Sequence, residues 1–386
     1  MFGRGGWTTS RADRGRVSRG PPGSGRAMTR YGYFLSSEEY EPASLIEQAK
    51  MAERAGFEAL WISDHFHPWL DEQGQSSFVW SVIGAISQVT SLPITTAVTC
   101  PTTRIHPAVI AQAAATAGLL TGGRFNLGVG TGEALNEHIT GAKWPAAEER
   151  QDMLEEAVTI IAELFAGEQL TYHGPHYQVD VDGARLYSVP AVPPPIYVSG
   201  FGEKSARLAA RIADGYICMG PQADLIKLYR DEGGEDRPVQ GGIKGCWAPD
   251  ADQARKTMHR LWPNDSIPGE SVQLLPLPRH FGQLAQLVTE DMVSAPCGPD
   301  PQPYGAAPGP GSARKRSGGR AQAQRPQRHG DPASAPRAGV QLSGSGQSSN
   351  KGSADARPDQ GPGDHAGLGR RVDLRRSAGP HPGHRH

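Results

Sequence analysis

The chain has 386 residues, a net charge of −1 and 37% hydrophobic residues, against about 45–50% in an average globular protein. That is enough for one large domain or two smaller ones, and no stretch approaches the ~18 consecutive apolar residues of a membrane-spanning helix. The cysteines Cys100, Cys218, Cys246 and Cys297 are far apart and form no CxxC pair, so neither a disulfide framework nor a zinc site is indicated.

The charge is unevenly spread. Residues 1–30 hold seven arginines and one acid, Asp13; residues 31–300 hold 18 basic and 34 acidic residues, a net of −16; residues 301–386 hold 14 basic and five acidic residues, a net of +9. The acidic middle reads as a cytoplasmic enzyme. The basic ends lack the aromatic residues that stack on bases, so no nucleic-acid partner is expected. Residues 1–30 read as a disordered extension, with Met28 as the working start just before the first strand.

From residue 31 strand and helix alternate. Residues 31–35 predict the first strand. A helix follows between Pro42 and Gly56, the usual order of start and stop residues, with Leu45, Ile46, Ala49, Ala52 and Ala55 on one face. Residues 57–62 predict the second strand, Val79 to Val89 a helix, 94–99 the third strand, and Pro107 to Gly122 an alanine-rich helix. Residues 125–130 predict the fourth strand, followed by a helix through Leu154, Val158, Ile161 and Phe165. A hairpin insertion is expected over 170–181. Strands then follow at 195–199, 215–219 and 241–247, with helical stretches at 205–213, 251–261 and 281–288. Seven βα units with near-continuous apolar strands predict a parallel sheet covered by helices. Their number and spacing suit a (β/α)8 barrel over 31–300 better than an open sheet, and no GxGxxG follows the first strand.

Two strands end in chemistry. WISDHFHPW at 61–69 passes from a buried strand to an acid, an imidazole, aromatic rings and a proline. GVGTGEALNE at 128–137 passes from a strand to a glycine-rich polar turn. Barrel enzymes place their working side chains at such strand ends. The bland readings are that Asp64 caps a turn, that Trp69 and Phe66 are core, that Glu133 is a helix N-terminal acid favoured by the dipole, and that Gly200 and Gly202 form only a tight turn. His67, His106 and His138 read as structural or surface residues. There is no HExxH spacing, and no metal is assigned.

At these motifs, and at PAVIAQ (107–112) and ADGYIC (213–218), the chain resembles the luciferase-like, coenzyme F420-dependent oxidoreductases, and within them the F420-dependent glucose-6-phosphate dehydrogenase group. The resemblance implies a TIM barrel of the luciferase-like type with the deazaflavin at the C-terminal strand ends. It implies His65 as the base that takes the substrate hydroxyl proton, a task suited to an imidazole. Glu133 is implied as the acid serving the reduced cofactor, and Trp69 as an aromatic wall at the reaction centre. Asp64 is implied as a polar contact to the cofactor ring, Ala97-Val98 as a distorted, often cis, peptide behind it, and Thr131, Gly132 and Asn136 as further ring and tail contacts. Gly200, Phe201 and Gly202, opening a helix, would hold the cofactor phosphate on backbone N–H groups.

The implied function is hydride transfer between a small alcohol or sugar-like substrate and C5 of coenzyme F420, with a homodimer admitted as the assembly. The alternatives are an FMN-dependent monooxygenase of the same superfamily and a non-catalytic remnant. The turn 219–224 (MGPQAD) and the stretch 264–273 carry no lysine, and QLV stands at 286–288 where a basic residue is expected. A phosphate needs charged or pre-aimed donors, so glucose 6-phosphate is expected to be a poor substrate. From 301 to 386 there is no Ile, Phe, Trp, Met or Glu. This Gly/Pro/Arg-rich tail reads as disordered and translated out of frame, leaving the eighth strand and helix missing.

Overall fold

Parallel strands covered on both faces favour apolar residues over alternation, and the computed structural model, which describes residues 29–220 and 222–293, contains seven parallel strands. In chain order the elements are β1 (Gly32–Leu35), α1 (Pro42–Arg54), β2 (Ala59–Ile62), α2 (Val79–Ile86), β3 (Ile94–Thr96), α3 (Pro107–Leu120), β4 (Phe125–Val129), the short α4 (Ala134–Glu137) and α5 (Ala147–Phe165). A hairpin, β5 (Leu170–His173) and β6 (Gln178–Ala184), interrupts the rhythm. Then come β7 (Ile196–Ser199), α6 (Glu203–Ile212), β8 (Gly215–Met219), α7 (Ala223–Tyr229), β9 (Val239–Gly242), α8 (Ala251–Leu261), α9 (Ser271–Leu274) and α10 (Pro278–Ala285). The large sheet runs β1-β2-β3-β4-β7-β8-β9, every neighbouring pair parallel.

The helices form where their sequences dictate. α1 and α3 both open on proline, whose fixed φ and missing N–H suit the first turn. α1 buries Leu45, Ala49 and Ala52 against the sheet and is followed by Gly56 at φ +86°, a conformation that glycine alone adopts cheaply. The small residues of α3 allow close approach: a Cβ on Gly118 would lie 3.0 Å from the Pro194 ring and 3.2 Å from Pro190. α5 turns Leu154, Val158, Ile161 and Phe165 inward, the face read from its spacing.

The sheet curls. The Trp61 side chain leaves β2, crosses the interior, and donates its indole N–H to Gln240 Oε1 of β9 at 2.5 Å. A Cβ on Gly242 would lie 2.6 Å from the same indole. Strands two places and seven places along the sheet order are therefore within one side chain of each other, the geometry of a barrel wall rather than an open sheet.

Element ends shift by a few residues from expectation at β3, α2 and α10, and most consequentially at the last strand. The last strand is Val239–Gly242, paired with β8 from Tyr216↔Val239 to Met219↔Gly242, not 241–247. The apolar residues beyond it are used elsewhere: Cys246 and Ala248 pack with Ala254, Met258, Trp262 and Val293 in a separate cluster. All the described residues fall in one compact unit, and among them no helix is long and apolar enough to cross a membrane. The expectations for residues 1–28 and from 294 onward, including the eighth unit and the reading frame of the tail, lie outside the described residues.

Candidate active site

In a parallel sheet every strand delivers its C-terminal end to the same face. That face collects residues 36–38 after β1, 63–69 after β2, 97–104 after β3, 130–137 after β4 and 200–202 after β7.

His65 lies at its centre, half-buried. Its Nε2 is 3.4 Å from Glu38 Oε1. Glu38 is buried, and its other oxygen accepts from Ser63 Oγ at 2.6 Å and Ser36 Oγ at 3.1 Å. Ser37 bonds both the hydroxyl and the carbonyl of Ser63, at 2.9 and 2.8 Å, so the β1 and β2 loops are clamped together. On the other side of the ring, Nδ1 is 3.0 Å from Asn136 Nδ2 and 3.1 Å from the carbonyl oxygen of His67. Asn136 Oδ1 accepts from the backbone N–H groups of Phe66 and His67, at 2.9 and 3.2 Å. The Trp69 ring stands 5.2 Å from the imidazole and packs edge-on to Phe281, also at 5.2 Å. Trp69 is thus both a wall of the site and a bridge to α10. Asn136, expected as a cofactor contact, holds the His65 loop.

Asp64 points the opposite way into a dry cluster. It accepts from Thr99 Oγ1 at 2.8 Å and is paired with Arg104 Nη2 at 2.9 Å, so the turn-capping reading does not apply to it. Arg104 Nε also reaches Glu137 Oε1 at 3.4 Å, and Glu137 Oε2 accepts from the backbone N–H of Arg104 at 2.8 Å. One guanidinium therefore serves two buried carboxylates. Burial pushes Glu137 up to about 7, against the pull of Arg104. Burial opposes the charge on Arg104, but Asp64 and Glu137 outweigh it and hold the guanidinium above its ordinary range.

The β3 and β4 ends form a half-exposed shelf. The Ala97–Val98 peptide bond is cis, and Ala97 N–H donates to Ile62 O at 2.8 Å. A Cβ on Gly130 would lie 2.8 Å from Val98 Cγ2, so the two turns touch. Gly132 has φ +78°, and a Cβ there would meet Glu137 Cγ at 2.8 Å and Cys100 Sγ at 3.2 Å. Both the angle and the space require glycine. Cys100 itself is inert: burial, reinforced by Glu137 and Glu133, holds its thiol well above the usual range. Thr131 and Glu133 flank Gly132, both half-exposed. Glu133 occupies the N-cap position of α4 without a side-chain capping bond.

Gly200, Phe201 and Gly202 stand at the end of β7, beyond β4. Gly200 is fixed by packing, since a Cβ would overlap Ser205 Cβ at 2.0 Å, and its carbonyl accepts from Tyr216 Oη at 2.8 Å. Gly202 caps α6 with open space around its Cβ position, and Phe201 is exposed. Among the described residues no group of three or more His, Cys, Asp or Glu side chains is gathered for a metal. Reading the sequence missed Glu38, Thr99, Arg104 and Glu137. Glu38, Thr99 and Glu137 carried the same signal as Asp64 and His65, polar residues at the end of a buried strand or inside the glycine-rich motif, and Arg104 carried none.

The family described as luciferase-like monooxygenase matches residues 27–339. A protein of Microbacterium testaceum named F420-dependent glucose-6-phosphate dehydrogenase is 46% identical over 189 residues, 49% of this chain and 56% of its own length. One of the same name from Segniliparus rotundus is 38% identical over 68% of this chain and 82% of its own. An F420-dependent hydroxymycolic acid dehydrogenase of Mycobacterium tuberculosis is 41% identical over 51% of this chain and 54% of its own. Several of these relatives are thus matched over little more than half their length. Among solved structures, an F420-dependent secondary alcohol dehydrogenase in complex with an F420-acetone adduct superposes with a TM-score of 0.66 at 33% identity, covering 70% of this chain and 86% of that one. A coenzyme F420-dependent tetrahydromethanopterin reductase from Methanopyrus kandleri, 20% identical with a TM-score of 0.55 over 70% of this chain and 85% of that one, shares the fold. The curled parallel sheet, the strand-end site and these matches agree: the chain belongs to the luciferase-like monooxygenase family.

Proposed function

We propose that this chain is a coenzyme F420-dependent oxidoreductase that moves a hydride between a CH–OH or C=O carbon of a small organic substrate and C5 of the deazaflavin. The observation that carries the reading is the setting of His65, largely buried at the end of β2 between Glu38 and Asn136. The relatives' names support the cofactor, and the secondary alcohol dehydrogenase, the hydroxymycolic acid dehydrogenase and the glucose-6-phosphate dehydrogenases share hydroxyl-bearing substrates.

The residues present fit a flat ring with an anionic tail. Ala97, Val98, Thr131 and Gly132 form a half-exposed shelf of small side chains and backbone. Beyond it, the ten-residue α6 begins at Glu203 behind its cap Gly202, where its first N–H groups suit a phosphate. Asp64, already bonded to Thr99 and Arg104, buttresses the shelf from below, and Asn136 acts through the His65 loop. When bound, the deazaflavin supplies the hydride acceptor or donor.

The protein's own contribution is proton handling. As hydride leaves an alcohol carbon, its hydroxyl proton must go to a base. An imidazolium at His65 has an acceptor for each N–H, Glu38 Oε1 on Nε2 and the His67 carbonyl on Nδ1. A buried carboxylate facing the ring fixes its orientation, as in other base–carboxylate pairs. Trp69 and Phe281 exclude water from one side. Glu133, on the shelf beside Thr131 and Gly132, is the acid we assign to the reduced cofactor.

Glucose 6-phosphate suits this pocket poorly. Lys244, in the segment after β9, is committed to Asp265 at 2.8 Å and to the Trp262 ring at 3.5 Å. Titration of the purified chain with coenzyme F420 and, separately, with FMN tests the cofactor assignment. Saturable quenching of F420 fluorescence with no retention of FMN is the expected result. FMN bound in place of F420 would establish the monooxygenase alternative, and binding of neither would establish the remnant.

A further inference from the structure

We propose that Asn136 is a positioning residue that selects the tautomer of His65, placing the single proton of the neutral imidazole on Nε2. This rests on the reading of His65 as the proton-handling group, with the substrate's proton taken at Nε2 as the proton already there passes to Glu38, but the geometry stands by itself.

The identity of the Asn136 amide atoms follows from their neighbours. Oδ1 faces two backbone N–H groups, Phe66 at 2.9 Å and His67 at 3.2 Å. Reversing the carboxamide would set an NH2 group against two donors. The oxygen is therefore fixed toward the loop, and Nδ2 is fixed toward His65 Nδ1 at 3.0 Å. A donor facing Nδ1 favours a lone pair there. The opposite tautomer would place Nδ1–H against Nδ2–H and leave a bare Nε2 lone pair 3.4 Å from the Glu38 carboxylate. Its single gain would be a bond to the His67 carbonyl at 3.1 Å. Two repulsive contacts for one bond decide the matter: neutral His65 accepts from Asn136 and donates through Nε2 to Glu38. The His67 carbonyl has its role in the other protonation state, receiving Nδ1–H when the ring carries both protons. Nδ1 thus faces a donor for its neutral form and an acceptor for its charged form, both held by the same loop.

The titratable groups around the ring are Glu38 from the β1 loop, Asp64 and His67 from its own loop, and Glu137 beside Asn136 in α4. Asp64 and Glu137 are turned to Arg104, and His67 Nδ1 is bonded to the Leu135 carbonyl at 2.8 Å. That leaves Glu38 as the charged partner of the imidazole, with Asn136 deciding which nitrogen faces it as an N–H.

Nitrogen and carbon NMR of the histidine-labelled full chain reads the tautomer directly, with the His65 signals identified by their loss in His65→Gln. The expected result is a neutral His65 with an unprotonated Nδ1 and a protonated Nε2. Asn136→Asp keeps an oxygen for both backbone N–H groups, so the loop is retained, but it presents an acceptor to Nδ1. The Nδ1 of His65 should then carry a proton, and its titration should move up by about one pH unit. If the hydride transfer is assayed in parallel, the limb set by the base should move with it. Asn136→Ala should lose the tautomer preference without the upward shift. An Nδ1–H tautomer in the unaltered protein, or a titration unmoved by Asn136→Asp in a folded chain, would overturn the proposal. Because the NMR readout needs no cofactor or substrate, failure here is distinct from failure of the proposed activity.

Discussion

Two pairs of adjacent residues, Asp64-His65 and Asn136-Glu137, divide their members between two unlike environments. Asp64 and Glu137 turn inward to Arg104, with side chains 0% exposed and the guanidinium side chain 6% exposed. His65 and Asn136 turn to each other and to Glu38, in a group open enough that the imidazole side chain is 12% exposed. The first group is an anchor: it ties the β2, β3 and β4 loops through buried charges paired on one guanidinium. The second is adaptable, since Nδ1 of His65 has partners suited to losing or keeping a proton. Neighbouring residues on one loop thus separate holding the site from working it.

Removing the anchor should have the largest effect. Arg104→Ala leaves Asp64 as an uncompensated buried carboxylate and removes the charge that opposes protonation of Glu137. We expect a loss of about 3–5 kcal/mol of stability, a large share of the roughly 5–15 kcal/mol available to a domain. Denaturant unfolding measures it, and a loss under about 1 kcal/mol would mean that the cluster is solvated in solution. His65→Ala breaks the comparison from the other side. It should lower turnover by roughly 10²–10⁴-fold while stability and F420 binding stay close to the unaltered protein. Unchanged turnover in a folded variant would remove His65 from the chemistry.

The smallest effect sharpens the contrast. Glu137 is raised to about 7 by burial from an ordinary 4.5, so between about pH 4.5 and 7 the folded chain holds a proton that the unfolded chain has lost. Stability from this group is full below about pH 4.5 and falls as pH rises toward 7, by about 1 kcal/mol per pH unit. Glu137→Gln should flatten that slope, compared by unfolding at several pH values across the window. An identical slope in both proteins would place the proton elsewhere.

The sequence made the curled parallel sheet legible because most of its strands are apolar runs and glycine or proline marks the ends of several helices. It misplaced β9 because Ile243, Cys246 and Trp247 continue an apolar run whose members leave the sheet, Cys246 for the cluster with Met258 and Trp262. At the site, SDHF and GVGTGEALNE stood out as polar interruptions of buried strands. Glu38 did not, because SSEE before Pro42 reads as an ordinary lead-in to α1. Arg104 did not, because its partner Asp64 lies 40 residues away, and no local spacing encodes such a contact. Asn136 was visible as a polar residue of the motif, but its role depends on which of its amide atoms faces which loop, and only the folded arrangement determines that.

The central claim is that the strand-end group around His65 moves a proton while hydride passes between a carbinol carbon and the bound cofactor. Its most direct test is to incubate the purified chain with coenzyme F420 and a small secondary alcohol carrying deuterium on the carbinol carbon, and to follow the label by mass spectrometry. The account predicts deuterium on the reduced cofactor with the unaltered chain and its near-disappearance with His65→Ala at equal cofactor occupancy. Occupied cofactor with no label transferred from any small secondary alcohol, or equal transfer by the variant, would contradict it.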